Sequence, residues 1–234
     1  MFQISSAIAL SNLDLSKIIL AIGGLGTASY GVVDVSKGLG GGVSNRGFGD
    51  IKKVVSQFIP VSDAKIPSAL SLASVLATLK ANWLNGMALA DQKSIAKAMI
   101  KLNLNEDTAG MMATATGVDK GALASIATKL STGEALTTEE TDAYGRFDLL
   151  LTAVLDQGYQ RGDQRYRNSA KLLAVPVSVV LALLGAWAVW GGLNASDTPL
   201  AIVCGLLATP LAPVAKDVAS AVQAGTKLAQ AWTK

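Results

Sequence analysis

An all-α integral membrane protein is what this sequence predicts, with three membrane-spanning helices, a cytoplasmic helical domain, and a long helix continuing from that domain into the membrane. Three observations carry the prediction. Leu172–Leu193 runs for twenty-two residues without a charge, and after the connection Asn194–Thr198 the stretch Pro199–Ala215 is also uncharged. About 20 apolar residues in a helix cross a hydrocarbon layer roughly 30 Å thick, so the two stretches read as a hairpin. Half of the 234 residues are hydrophobic, yet the middle of the chain is too charged for a bundle of spans alone. That middle repeats apolar residues at helical spacing and lacks alternating strand patterns.

Along the chain the expected organisation is an N-terminal region with the first span over 1–37, a Gly-rich linker over 38–64, a cytoplasmic helical domain over 65–170, the hairpin over 171–216 and an amphipathic tail over 217–234. The first span, Ile18–Val33, is short but bracketed by Asp14 with Lys17 and by Asp34 with Lys37, as at two helix ends. Such a span crosses if flanking side chains snorkel. A secretory signal peptide is the competing reading, with Thr27, Ala28 and Ser29 small enough for cleavage, but Asp14 nearly cancels the positive charge such a segment needs.

In the domain, Ser68–Leu79 is apolar at helical spacing after Pro67, a residue suited to a helix start, and Ala96–Leu102 does the same. Asp119–Leu130 forms an amphipathic helix with Leu123, Ile126, Ala127 and Leu130 on one side, closed by Gly133. Thr137 followed by Glu140 gives a capping box, after which Phe147, Leu150, Leu151, Val154 and Leu155 carry helical periodicity toward the hairpin. Gly158 and Gly162 each cost about 1 kcal/mol relative to alanine, too little to end a packed helix, and are the expected bend. In the last span Gly205, Pro210 and Pro213 are expected to tilt the helix, and beyond it Val214, Val218, Val222, Gly225, Leu228 and Trp232 keep an apolar stripe for packing or for the headgroup level.

Charge bias sets the topology. Lys37, Arg46, Lys52 and Lys53 follow the first span while only Lys17 precedes it; Arg161, Arg165, Arg167 and Lys171 precede the hairpin, whose connection has no Lys or Arg. The positive-inside rule then places the N-terminus outside and the central domain in the cytoplasm. Asn194–Ser196 matches a glycosylation triplet but reads as a turn.

Candidate sites are few. Histidine is absent, which removes the commonest general base, metal ligand and haem ligand. Cys204 is the single cysteine and reads as a small buried hydrophobe. No catalytic, metal or cofactor-binding residues are expected, and the chain is read as a non-enzyme. The net charge of +3 without a long basic stripe argues against nucleic acid. The Gly38–Gly49 segment GLGGGVSNRGFG superficially suggests a phosphate cradle, but lacks the strand before and the Gly-Lys-Ser/Thr of a nucleotide loop. Glu106, Asp107, Glu139 and Glu140 sit at predicted helix starts, where they complement the helix dipole.

Two groups point to interactions. Gly23, Thr27 and Gly31 recur every four residues, so that another backbone can approach closely, either the hairpin through Ala182 and Ala186 or Ala201 and Gly205, or a second protomer. Arg161, Arg165, Arg167 and Lys171, interleaved with Tyr159 and Tyr166, suit an acidic lipid headgroup or a protein partner, and Asp163 is spaced to pair with Arg167.

Four pieces together resemble a widespread group of bacterial inner-membrane proteins of uncharacterised function. They are the first span, KIPSALSLASVL at Lys65–Leu76 with its Ile-Pro-Ser helix opening, the long pre-membrane helix with its basic end, and a hairpin closing in GLLATPLAPVAKDVASAV. The sequence departs where that group would have Trp-Tyr-Lys-Arg, since Tyr159 is followed by Gln160, Arg161 and Gly162. The resemblance implies the architecture and a bacterial inner membrane, and no activity. The functional expectation is a non-enzymatic anchor or scaffold, partnered by membrane lipid and by itself as a homo-oligomer or by other subunits. A pore, whose polar lining would include Thr27, Ser29 and Ser178, or an accessory subunit of a larger membrane enzyme, is the alternative.

Overall fold

A computed structural model describes residues 15–36, 40–61, 70–195 and 197–232, with side chains described from Ile18 to Val214 within those ranges. Every regular element among them is helical. The helices are α1 (Leu15–Val35), α2 (Ser44–Val55), α3 (Leu72–Leu84), α4 (Leu89–Leu102), α5 (Glu106–Thr116), α6 (Lys120–Thr132), α7 (Thr138–Trp190) and α8 (Asp197–Trp232). Three of them, α1, α7 and α8, contain stretches long and apolar enough to cross a membrane. The chain divides into two compact units: residues 1–40 with 168–234, called here the apolar unit, and residues 41–167, the core unit. The 53-residue α7 contributes its first thirty residues to the core unit and the remainder to the apolar unit.

The core unit is assembled on large side chains. Phe48, Ile51 and Val55 of α2, Val75 and Leu79 of α3, Ile100 of α4, Met112 of α5 and Leu123 and Ile126 of α6 are buried with Phe147, Leu151 and Leu155 of α7. Local chemistry begins and ends these helices. Asn105 caps α5 by accepting from the Thr108 N–H at 3.0 Å while Thr108 Oγ1 accepts from the Asn105 N–H at 3.0 Å. Asp119 caps α6 by accepting from the Ala122 N–H at 2.7 Å. Gly117 and Gly133 close these two helices at φ of +72° and +76°, a left-handed conformation that favours glycine. The expected box at the start of α7 forms: Thr137 N–H donates to Glu140 Oε2 at 2.8 Å, and Glu140 N–H donates to Thr137 Oγ1 at 3.2 Å.

Several expectations change here. Over Ser44–Val55 the expected Gly-rich linker is a helix, and it belongs with the helical domain. Its glycines serve contact: a Cβ on Gly47 would lie 2.5 Å from the Gly162 carbonyl oxygen, and one on Gly158 would lie 2.7 Å from Val54 Cγ2. Gly158 and Gly162 therefore mark where α2 crosses α7, which continues through both without interruption. Leu130, expected on the inner side of α6, is 48% exposed, because Leu123, Ile126 and Ala127 already fill that face. The Ser68–Leu79 helix starts at Leu72 behind a Ser71 cap; Pro67 and Ser68 lie outside the described residues.

The apolar unit inverts the pattern. Its large side chains point outward, with Leu172 72%, Trp187 58% and Val189 77% exposed, while Ala174, Ala186, Ala201, Ala208 and Ala212 are buried. Helix α1 packs along α8. The helix α8 runs through Pro210 and Pro213 to Trp232; the expected apolar stripe from Val218 to Trp232 lies outside the described side chains. Residues 194 and 195 sit in the turn between α7 and α8, and Ser196 lies outside the described residues.

Candidate functional site

Within the apolar unit the contacts are made by the smallest residues. A Cβ on Gly26 would sit 2.1 Å from the Ala208 carbonyl oxygen and 3.0 Å from Ala212 Cβ. One on Gly205 would sit 2.5 Å from Val179 Cα and 3.0 Å from the Ser178 carbonyl oxygen. These glycines let three backbones approach closely, a mode of helix contact that does not depend on burying large apolar side chains. Ser178 donates from Oγ to the Gly205 carbonyl at 2.7 Å or the Val175 carbonyl at 2.8 Å, and Ser29 Oγ donates to the Gly26 carbonyl at 2.7 Å. Both hydroxyls are fully buried and satisfied inside the unit, so neither is available to line a pore. Thr27 Oγ1 donates back to the Gly23 carbonyl at 3.0 Å.

The expected trio of α1 is divided between two sides. Gly23 is buried with Gly26, Ser29 and Val33, whereas Thr27 and Gly31 are exposed together with Gly24 and Ala28. A Cβ added at Gly24 or Gly31 would meet nothing within 4 Å. Helix α1 thus carries two small-residue sides, one used inside the unit and one open. Ala186 is buried and Ala182 half-buried; both, with Gly185, line an apolar hollow of about 600 Å³ that also touches Ile22, Trp190, Ala201 and Cys204.

Of the expected basic residues, Arg161, Arg165 and Arg167 lie at the end of the core unit, and Lys171 belongs to the apolar unit. Arg161, Arg165, Arg167 and Lys171 are all exposed. Arg167 Nε bonds Asp163 Oδ2 at 2.7 Å, the expected pair, and Arg165 Nε approaches Asp50 Oδ2 on α2 at 3.2 Å. The latter is an ion pair by distance only, since its N–H is not aligned for a hydrogen bond and Asp50 Oδ2 has no hydrogen-bond donor. Tyr166 packs edge-on against Trp83 with ring centroids 6.2 Å apart, and Tyr159 is buried with its hydroxyl donating to the Gln92 carbonyl at 3.4 Å. Burial pushes the Tyr159 phenol well above its usual range, so it stays neutral.

A second charged feature, on α4 and α7, escapes sequence reading. Lys93 pairs with Asp156, Lys97 with Asp148 at 2.5 Å, and Lys101 with Asp148 at 3.0 Å. Burial works against the charged form of Asp148, but the Lys97 and Lys101 ammoniums outweigh it and hold the carboxyl below its usual range. The spacing of four between the lysines and of eight between the aspartates was visible on each helix; which helix faces which was not. Lys93, Lys97 and Asp156 line a shallow pocket of about 270 Å³ with Ser94, Thr152 and Leu155, and each of these three charges has an oppositely charged partner.

Among the described residues no group of three or more His, Cys, Asp or Glu side chains is placed to hold a metal ion. The sequence also missed Arg46, Lys52 and Lys53 of α2 as parts of an ordered surface. The available signal was the spacing of Phe48, Ile51 and Val55, hidden among glycines. The chain matches no protein-family model, no curated protein and no solved structure. Its function is therefore read from the residues themselves.

Proposed function

We propose that this protein is a non-enzymatic membrane anchor or scaffold that assembles as a homo-oligomer, or holds a cytoplasmic assembly, at a bacterial inner membrane. In this reading α1, the second part of α7 and the first part of α8 span the bilayer, the N-terminus is outside, and the core unit is cytoplasmic. The bias of Lys and Arg toward the core-unit side of each apolar stretch supports that orientation.

The observation that carries the proposal is the two-sided α1. Its Gly23, Gly26 and Ser29 side is consumed by packing within the apolar unit, while Gly24, Thr27, Ala28 and Gly31 remain exposed with room for a neighbouring backbone. Small residues on an otherwise lipid-facing helix give up dispersion contacts with lipid and gain them only against another helix. The outward large side chains of α7 and α8 are what a lipid-facing surface requires.

The test is the mass of the assembly extracted from native membranes in mild detergent. A multiple of 24 kDa, or a fixed ratio with other chains, is expected. Replacing Gly24 and Gly31 by Ile should lower that mass without unfolding the protomer, since the added atoms meet open space. Recovery of free monomers alone, with no copurifying chain, would overturn the proposal.

A further inference from the structure

The core unit is electrically polarised. Residues 46–53 and 161–167 hold six Lys or Arg and two Asp, whereas residues 106–142 hold seven Asp or Glu and two Lys. Structure gathers each group. The basic segments meet where α2 crosses α7, with Gly47 against Gly162 and Arg165 against Asp50. Six of the seven acidic residues lie where the start of α5 and the end of α6 reach the start of α7, as Thr128 bonds Glu106 and Lys129 bonds Glu140, whereas Asp119 caps the other end of α6. At 1.5 Å per residue, Glu140 and Arg165 are separated by about 37 Å along α7, several Debye lengths at physiological salt. The two ends therefore present opposite signs to solvent without cancelling each other.

We infer that the basic end of the core unit, formed by Arg46, Lys52 and Lys53 of α2 beside Arg161 of α7, binds anionic phospholipid headgroups. This rests on the membrane reading above and names the lipid class. All four residues are exposed, and among the described residues no carboxylate pairs with any of them, the two local acids being taken by Arg165 and Arg167. The mode of contact follows from burial. Phe48, Ile51 and Val55 of α2 are buried against the core, so this amphipathic helix has no apolar side left to insert, and its cationic side is the one that meets a surface. Along the chain these cations lie beside the apolar stretches: Arg167 stands five residues before Leu172, and Arg46 follows the end of α1 at Val35 by eleven. The acidic end is at least thirty residues away from Leu172. An anionic leaflet attracts the first group and repels the second, so the charge separation selects one orientation where a uniform charge would select none.

The experiment uses the full chain with Cys204→Ala and Gly49→Cys; Gly49 lies on the exposed side of α2, and a Cβ there meets nothing within 4 Å. A fluorophore on that cysteine is followed by energy transfer to acceptors on lipid headgroups, in vesicles of phosphatidylcholine with and without phosphatidylglycerol. Transfer should be at least about twofold higher in the anionic vesicles. It should fall to the neutral-vesicle value near 0.5 M salt, where the Debye length is about 4 Å, and in the R46Q/K52Q/K53Q variant. Equal transfer in both vesicle types, or a triple variant that behaves as the parent, would overturn the inference. Alkaline extraction of the same vesicles separates the two levels: a chain retained in the pellet with no charge dependence defeats only the lipid site, and a chain released to the supernatant defeats the membrane reading as well.

Discussion

The two units solve the packing problem in opposite ways. In the core unit Phe147, Leu151 and Leu155 lie among Ile51, Leu79, Ile100 and Leu123, and charge is kept outside. In the apolar unit the buried positions are Gly26, Ser29, Ala201, Gly205 and Ala208, and the bulky residues Leu172, Trp187 and Val189 face outward. Water rewards removal of apolar area, at about 25 cal/mol per Å², so the first unit is held by what its side chains hide. If the second lies in a bilayer, as proposed above, its apolar solvent gives no such reward, and that unit is held by how closely its backbones approach. The difference teaches that the first unit should fail when atoms are removed and the second when atoms are added.

Deletion gives the largest expected effect. Phe147→Ala in the fully buried core should cost about 3–5 kcal/mol, read as loss of the core unit's cooperative transition in chemical denaturation. Addition comes next: Gly26→Leu drives a side chain into the Ala208 carbonyl, a backbone atom that cannot swing aside, and should cost about 3 kcal/mol, measured by unfolding in detergent. Gly24→Leu, two residues away on the open side of α1, should leave that transition in place. If Gly24→Leu destabilised the protomer as much as Gly26→Leu, the contrast between used and open sides of α1 would collapse.

A smaller, pH-dependent effect belongs to Glu140. Hydrogen bonds from Lys129, Ser125 and the Thr137 N–H hold its carboxyl down at about 2, from an ordinary 4.5. Because the folded-state value is depressed, its contribution is complete above about 4.5 and is lost as pH falls from there toward 2. The core unit should therefore weaken over that interval, and Glu140→Gln should weaken it at neutral pH while flattening the acid limb of a thermal-denaturation profile. The smallest effect is Asp156→Asn, which removes the partner of Lys93 and should cost about 0.2–1 kcal/mol, a loss that high salt should also produce in the parent. A loss of several kcal/mol would mean that the pairs of Lys93, Lys97 and Lys101 are buried and strong, contrary to their partial exposure.

What was legible in the sequence was local. Asp119 and Gly133 bracket α6, and Thr137 with Glu140 starts α7, because caps are satisfied by residues three or four positions away. The long apolar runs within α7 and α8 needed only length and composition. Helix α2 was not legible, since two glycines within it read as a break and its justification lies more than a hundred residues away, at Gly162. Nor did the sequence distinguish the two sides of α1. Gly23, Gly24, Gly26, Thr27, Ala28 and Gly31 surround that helix with small residues, and only the position of Ala208 decides which of them are used. The Lys93 and Asp156 partnership was hidden for the same reason, being a relation between helices.

Glu140 carries a consequence for synthesis. Its partners Ser125, Lys129 and Thr137 all precede it in the chain, so every group that seats this carboxylate exists when Glu140 is added. Leu172, the first residue of the long apolar run, comes thirty-two residues later, which at cellular elongation rates is a delay of about 2–6 s. Helix formation and side-chain pairing take microseconds or less, so the junction of α6 with α7 has time to close on the emerging chain before the apolar run follows. The longest helix of the protein thus begins at a point secured ahead of its own most apolar part.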